Sequence, residues 1–137
     1  MPARDLSGPL LAAVITQLMS DSAVSAIVGP RVYDYVPASP VYPFIRCLTA
    51  IVTPFEATGG IRGGLVLVQV DTFTKDYGTT QVNQLNGAVA ECLDETQLSL
   101  SEGNMLDIAW QRSKVIADPT EQGAWHGVVE FEALASN

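Results

Sequence analysis

The chain is poor in the residues that most often announce chemistry. It has two cysteines and one histidine among 137 residues, and neither a CxxC nor an HxxxH spacing, so it does not supply the ligands of a zinc site. No metal and no cofactor is expected. Cys47 falls in an apolar strand pattern and Cys92 on the apolar stripe of a predicted helix. That placement reads as two buried free thiols rather than a disulfide, because cysteine behaves as a small hydrophobe in cores. Basic residues are also scarce: seven Lys and Arg against fifteen Asp and Glu leave a formal charge of −8. The seven are scattered singly, whereas phosphate binding requires clusters, so the composition argues against specific nucleic-acid recognition. An acidic lining would suit a channel through which DNA slides without sticking, although ordinary solubility accounts for the same charge. Long apolar runs are missing too. The longest lie around Leu10–Val14 and Leu65–Val68, far short of the roughly 20 residues that span a bilayer. The N-terminus has no basic stretch leading into an apolar block. The expectation is a soluble, unexported protein that does not engage a membrane.

What is present is hydrophobic: 47% of the residues are apolar, enough for one core and too short a chain for two, so residues 1–137 are expected to form a single domain. Ser7-Gly8-Pro9 places a capping hydroxyl and a helix-initiating proline before Leu10, Leu11, Val14, Ile15 and Leu18, which recur at helical spacing. Asp21 or Ser22 caps a short second helix that Gly29-Pro30 ends. The chain then leaves extended from Arg31 to Val36. Pro37, Pro40 and Pro43 defer the first strand to about Phe44–Thr53, and its partner is Leu65–Phe73. Between them, Pro54–Gly64 with its four glycines reads as a long flexible loop. Thr79 or Thr80 caps a third helix carrying Val82, Leu85, Val89, Cys92 and Leu93. Met105–Ala117 reads as a strand with Leu106, Ile108 and Trp110 on one face, which makes Trp110 a core residue. His126–Ala133 reads as another with Val129, Phe131 and Ala133 on one face, the two joined by a turn at Pro119–Gly123. Residues Ala135–Asn137 are expected to fray. The sum is an α+β fold: a mainly antiparallel sheet of about four strands, with two main helices packed on one face and a short extra helix.

Catalysis has few candidates. His126 has Asp118 and Glu130 nearby in sequence to orient it, but no nucleophile sits in a GxSxG elbow and Cys47 reads as buried. Asp94-Glu95 and the pair Glu130 and Glu132 read as solvated faces; Glu130 and Glu132 share one strand face, where a charged contact between subunits is the other reading. Gly59-Gly60-Ile61-Arg62-Gly63-Gly64 has a phosphate-loop look, yet it precedes a strand instead of opening a helix and has no GK[ST] ending. It reads better as a mobile tip that presents Phe55, Ile61 and Arg62 to a partner. Trp125, at the beginning of a strand, is a further candidate interface anchor. No catalytic residue is assigned.

Arg31-Val32-Tyr33-Asp34, Tyr42-Pro43-Phe44-Ile45, the strand ending Val70-Asp71-Thr72-Phe73-Thr74-Lys75, and Trp125-His126-Gly127-Val128-Val129-Glu130-Phe131, in this order of elements, resemble the tail-completion, or tail-terminator, family of long-tailed bacteriophages and related gene transfer agents. The resemblance runs from about Leu10 to Ala133. It implies a structural virion protein, made in the bacterial host cytoplasm and found at the head-tail junction. Such a protein forms a ring, commonly of six subunits, that caps the tail tube, ends its polymerisation and joins it to the head connector. Its partners would be further copies of itself, the tail-tube protein and a connector protein, with DNA passing through the channel unbound. The alternatives are an adaptor or stopper of the same connector, or a small ligand-binding domain or enzyme using His126.

Overall fold

The computed structural model describes residues 2–137. Its first helix, α1 (Ser7–Ser20), buries Leu10, Val14 and Leu18 completely, the stripe that the helical spacing marks. Ser7 does not cap it. The helix begins at Ser7 itself, and the Asp5 carboxylate just upstream accepts the Ser7 N–H at 2.9 Å. α2 (Ser22–Val28) is capped by Asp21, whose side chain accepts the Val24 N–H at 3.0 Å, and it ends at Gly29, where φ is +59°. α2 leaves α1 at 81°, and among the described residues no single helix is long and apolar enough to cross a membrane. α3 (Thr80–Leu93) buries Val82, Leu85, Val89, Cys92 and Leu93 as its spacing requires.

Among the described residues the sheet has five strands, one more than the approximate four that the sequence pattern marks. They are β1 (Val32–Tyr33), β2 (Phe44–Ala57), β3 (Ile61–Lys75), β4 (Asn104–Ala117) and β5 (Ala124–Ser136), in the spatial order β1-β2-β3-β5-β4. The extra strand lies in the segment read only as extended: Val32 and Tyr33 pair in parallel with Ile45 and Arg46, and every other neighbouring pair is antiparallel. Two residues are too few to carry a period-2 pattern, so no alternation marks β1. The helices cover one face of the sheet. Val66, Val68 and Val70 of β3, with Val129, Phe131 and Ala133 of β5, join Leu10, Leu85 and Val89 in one buried cluster.

Three further expectations need correcting. Pro54–Gly64 is not a loop: β2 and β3 continue pairing to Ala57↔Ile61, leaving only Thr58, Gly59 and Gly60 as the turn. Gly59 and Gly60 have φ of +86° and +78°, backbone that glycine adopts without a steric penalty. Gly63 is a strand residue in close contact, since a Cβ there would lie 2.0 Å from the Ala135 carbonyl oxygen. Second, β4 does not alternate regularly. Register shifts between Met105 and Asp107 and between Trp110 and Arg112 break its period. Met105 and Ile108 are buried while Leu106 is exposed, and Trp110 is 48% exposed rather than core. Third, the last residues are held. Ala135 is buried within β5, and Asn137 donates its backbone N–H to the Arg62 carbonyl at 2.8 Å and its side-chain amide to the Pro2 carbonyl at 2.8 Å.

Candidate functional site

The strand register lays out the sheet face that carries no helix as a series of cross-strand rows. At one end is an aromatic row in which Phe73 stacks on Phe44 at 4.7 Å and on His126 at 4.5 Å between ring centroids. Next come Arg46, Asp71, Val128 and Lys114, then Leu48, Gln69, Glu130 and Arg112. Beyond that polar belt the face turns aliphatic through Ile51, Leu67, Leu65 and Leu134, and it ends on the β2–β3 hairpin with Phe55 and Ile61 at the same parity. A sheet face meant for water should alternate to polar side chains at these positions.

The belt is built around Asp71, which has no solvent exposure although its face has no covering layer. Arg46 donates to one carboxylate oxygen through Nε at 3.0 Å and through its terminal nitrogen; Gln69 Nε2 at 2.9 Å and His126 Nε2 at 3.0 Å engage the other. Burial alone would raise the Asp71 pKa; the hydrogen bonds from His126, Arg46 and Gln69, with the Arg46 charge, outweigh it and hold the carboxyl below the usual range. Arg112 pairs with Glu130 at 3.3 Å. In both pairs the acid is withdrawn and the guanidinium projects: the side chains of Asp71 and Glu130 are 0% and 16% exposed, those of Arg46 and Arg112 41% and 69%.

The other candidates are spread over the molecule. Glu132 is exposed on the uncovered face, one pleat from Glu130. Arg62 pairs with Glu56 across the hairpin at 3.3 Å. Trp125 lies at the far end, half-buried, with Nε1 3.3 Å from the Asp76 carbonyl oxygen, in an open groove of about 770 Å³ shared with Tyr77. Trp110 lines a second groove, of about 640 Å³, between α3 and β4, where Gly87 and Ala90 leave the last strand uncovered. Asp71 and Arg46 were not among the residues singled out from the sequence. Asp71 interrupts the strand between Val70 and Thr72, but besides Gln69 its partners, Arg46 and His126, come from two other strands, and only the register reveals them.

This arrangement offers no catalytic chemistry. His126 Nε2 is engaged by a carboxylate that already has three other donor contacts, and Cys47 pairs with Val70 on the opposite, helix-covered face. Both thiols are free and buried. Burial, with the negative charges of Asp71 and Asp34, pushes Cys47 up to about 12, and burial with Asp21 nearby pushes Cys92 up to about 11. The thiolate is the reactive form, so neither cysteine should react with a maleimide in the folded protein at mildly alkaline pH, and both should react once urea is added. Modification of the native protein at the rate of a free thiol would contradict this.

Fold and surface together define an assembly module: a sheet half-covered by helices, an apolar and charged open face, and a projecting hairpin. Comparison with known proteins agrees. Residues 12–136 match the model of the family described as "Tail completion protein gp17". The chain belongs to that family, whose members are structural proteins of the virion tail and not enzymes. Among solved structures, a chain of the "Virion of native gene transfer agent (GTA) particle" superposes with a TM-score of 0.86, at 24% identity, covering 96% of this chain and 98% of that one. At that identity the likeness speaks to the fold. No curated protein sequence matches.

Proposed function

We propose that this tail completion protein, acting as one domain over residues 1–137, assembles as a ring of six subunits that caps the tail tube, stops its growth and joins it to the head connector, leaving a channel for DNA. The observation that carries the reading is the family match over nearly the whole chain. The physical features accord with it. A ring needs two different patches, one meeting the other on the neighbouring copy, and the open sheet face and the helical layer differ in the way such patches must. The net charge of −8 suits a lumen that DNA must traverse without adhering. The β2–β3 hairpin carrying Phe55, Ile61 and Arg62 reaches for the tube or the neighbouring subunit, and Trp125, Glu130 and Glu132 complete the contact set.

The test is a reconstitution of purified protein with tail tubes and filled heads. Phe55→Ala combined with Ile61→Ser is expected to lower the yield of joined particles about tenfold, the effect of losing roughly 1.4 kcal/mol of contact, while the variant protein keeps its thermal stability. Joining at the parental level would remove the hairpin from the contact. If the protein bound the head connector and ignored the tube, an adaptor or stopper role would replace the tube cap.

A further inference from the structure

We propose that the uncovered sheet face of one copy docks front to back on the helical layer of a second copy, Arg46, Arg112 and Lys114 of the sheet meeting Glu91, Asp94 and Glu95 at the C-terminal end of α3. The inference rests on the ring reading and adds which two surfaces meet.

The helical side of this molecule is acidic, and the basic residues of the sheet face gather at one end of it. From Ser7 to Val28 and from Thr80 to Thr96 the only charged residues are Asp21, Glu91, Asp94 and Glu95, all acidic. Three of the seven basic residues stand on the opposite face, with Arg46 and Arg112 projecting from carboxylates that are themselves withdrawn, while the exposed acids of that face, Glu132 and Asp107, lie nearer the hairpin, opposite Leu67 and Leu134. The acids also sit at the disfavoured end of their helix. A helix C-terminus attracts cations, yet α3 has no basic residue in its last turn, so cations from outside are welcome there. Beside these acids, the groove floored by Gly87 and Ala90 exposes Trp110, a receiver for the aliphatic end of the sheet face.

Strand addition, the other obvious way to join sheets, is hindered at the outer edge of β2 and along the first half of β4. The outer edge of β2 carries a register shift between Thr49 and Ile51, then Pro54. Along β4, Asp94 already accepts the Trp110 N–H at 2.8 Å, and the Glu95 N–H donates to the Ile108 carbonyl at 2.8 Å. Face-to-helix contact is left, and because its two patches differ it is heterologous, the kind of contact that closes into a ring.

Charge reversal tests it, read by light scattering after gel filtration, with the parent examined alone and with tube protein. Arg112→Glu and Glu91→Arg are each expected to raise the concentration for half-association about tenfold at low salt. An equimolar mixture of the two should recover association, since each variant then offers a matching patch to the other. Lys114→Glu gives the same loss by a route that leaves the Glu130 pairing intact, should Arg112→Glu fail to fold. If the parent forms rings and all three variants do so equally well, these surfaces do not meet and the ring reading stands. A parent that stays monomeric both alone and with the tube overturns the ring reading, and this docking with it.

Discussion

Replacing Gly127 by alanine is expected to destabilise the protein by about 3 kcal/mol, a large loss for a single methyl group. A Cβ at that position would lie 2.1 Å from Thr72 Oγ1 and 2.3 Å from Asn86 Oδ1. Those two atoms are themselves hydrogen-bonded at 2.6 Å, in a buried contact that ties β3 to α3. Overpacking a core position costs about 1–3 kcal/mol, and breaking the Thr72–Asn86 bond leaves buried polar atoms unpaired at about 1–3 kcal/mol more. Thermal unfolding should move down by roughly 10 °C. The combined variant Gly127→Ala with Asn86→Ala should recover part of the loss, because it removes the crowded amide. A melting temperature of the single variant within about 2 °C of the parent would show that Thr72 and Asn86 move aside freely.

Asp71→Asn should cost about 2–3 kcal/mol at neutral pH, although the side chains have the same shape. Asp71 accepts only: every contact to its two oxygens comes from Arg46, Gln69 or His126. An amide would offer N–H groups to partners that donate, and would forfeit the charge that faces Arg46. Removing one member of a fully buried ion pair costs about 3–5 kcal/mol; the figure is lower here because the Arg46 side chain is 41% exposed and can turn to water. The effect has a pH signature. The native carboxyl titrates below the value of about 3.9 found in unfolded chains. Its contribution is therefore complete above that value and disappears as the pH falls through the lowered native one. Urea unfolding at descending pH should show the parent and Asp71→Asn converging at the acid end, and curves that stay parallel would remove Asp71 from the account.

The sequence was most legible where one long element faces one core. In α3 and in β5 around Phe131, the residues chosen by spacing are the residues that are buried. Legibility failed where a single residue resets a pattern. The register shift after Met105 puts Leu106 out of step with Ile108 and exposes it, and Trp110, although it pairs with buried Phe131 on the helix side, stands where α3 leaves β4 uncovered. Glycines were read as slack in the hairpin, where Gly59 and Gly60 make the turn and Gly63 admits a neighbouring backbone. Of the candidate site, Phe55, Ile61, Glu130 and Glu132 were visible as residues. That all four share a face with Arg46 and Asp71 was not visible, because it depends on the register of the β2–β3 hairpin and on pairing β3 with β5, which is far from it along the chain. Family resemblance, by contrast, was readable from short strand entries that carry little energy of their own.

The way Asn137 fastens the N-terminal segment has a practical side. Its side chain accepts the Arg4 N–H and donates to the Pro2 carbonyl, and its backbone reaches Arg62 at the base of the hairpin. A fluorescent reporter or affinity tag fused at either end of this polypeptide would therefore emerge beside Phe55 and Ile61 and crowd the hairpin. The turn between β4 and β5, residues 118–123, lies at the other end of the sheet, roughly 40 Å away by strand length. An insertion there, or new chain ends opened there with the old ones spliced by a short linker, would label the subunit while leaving the hairpin free.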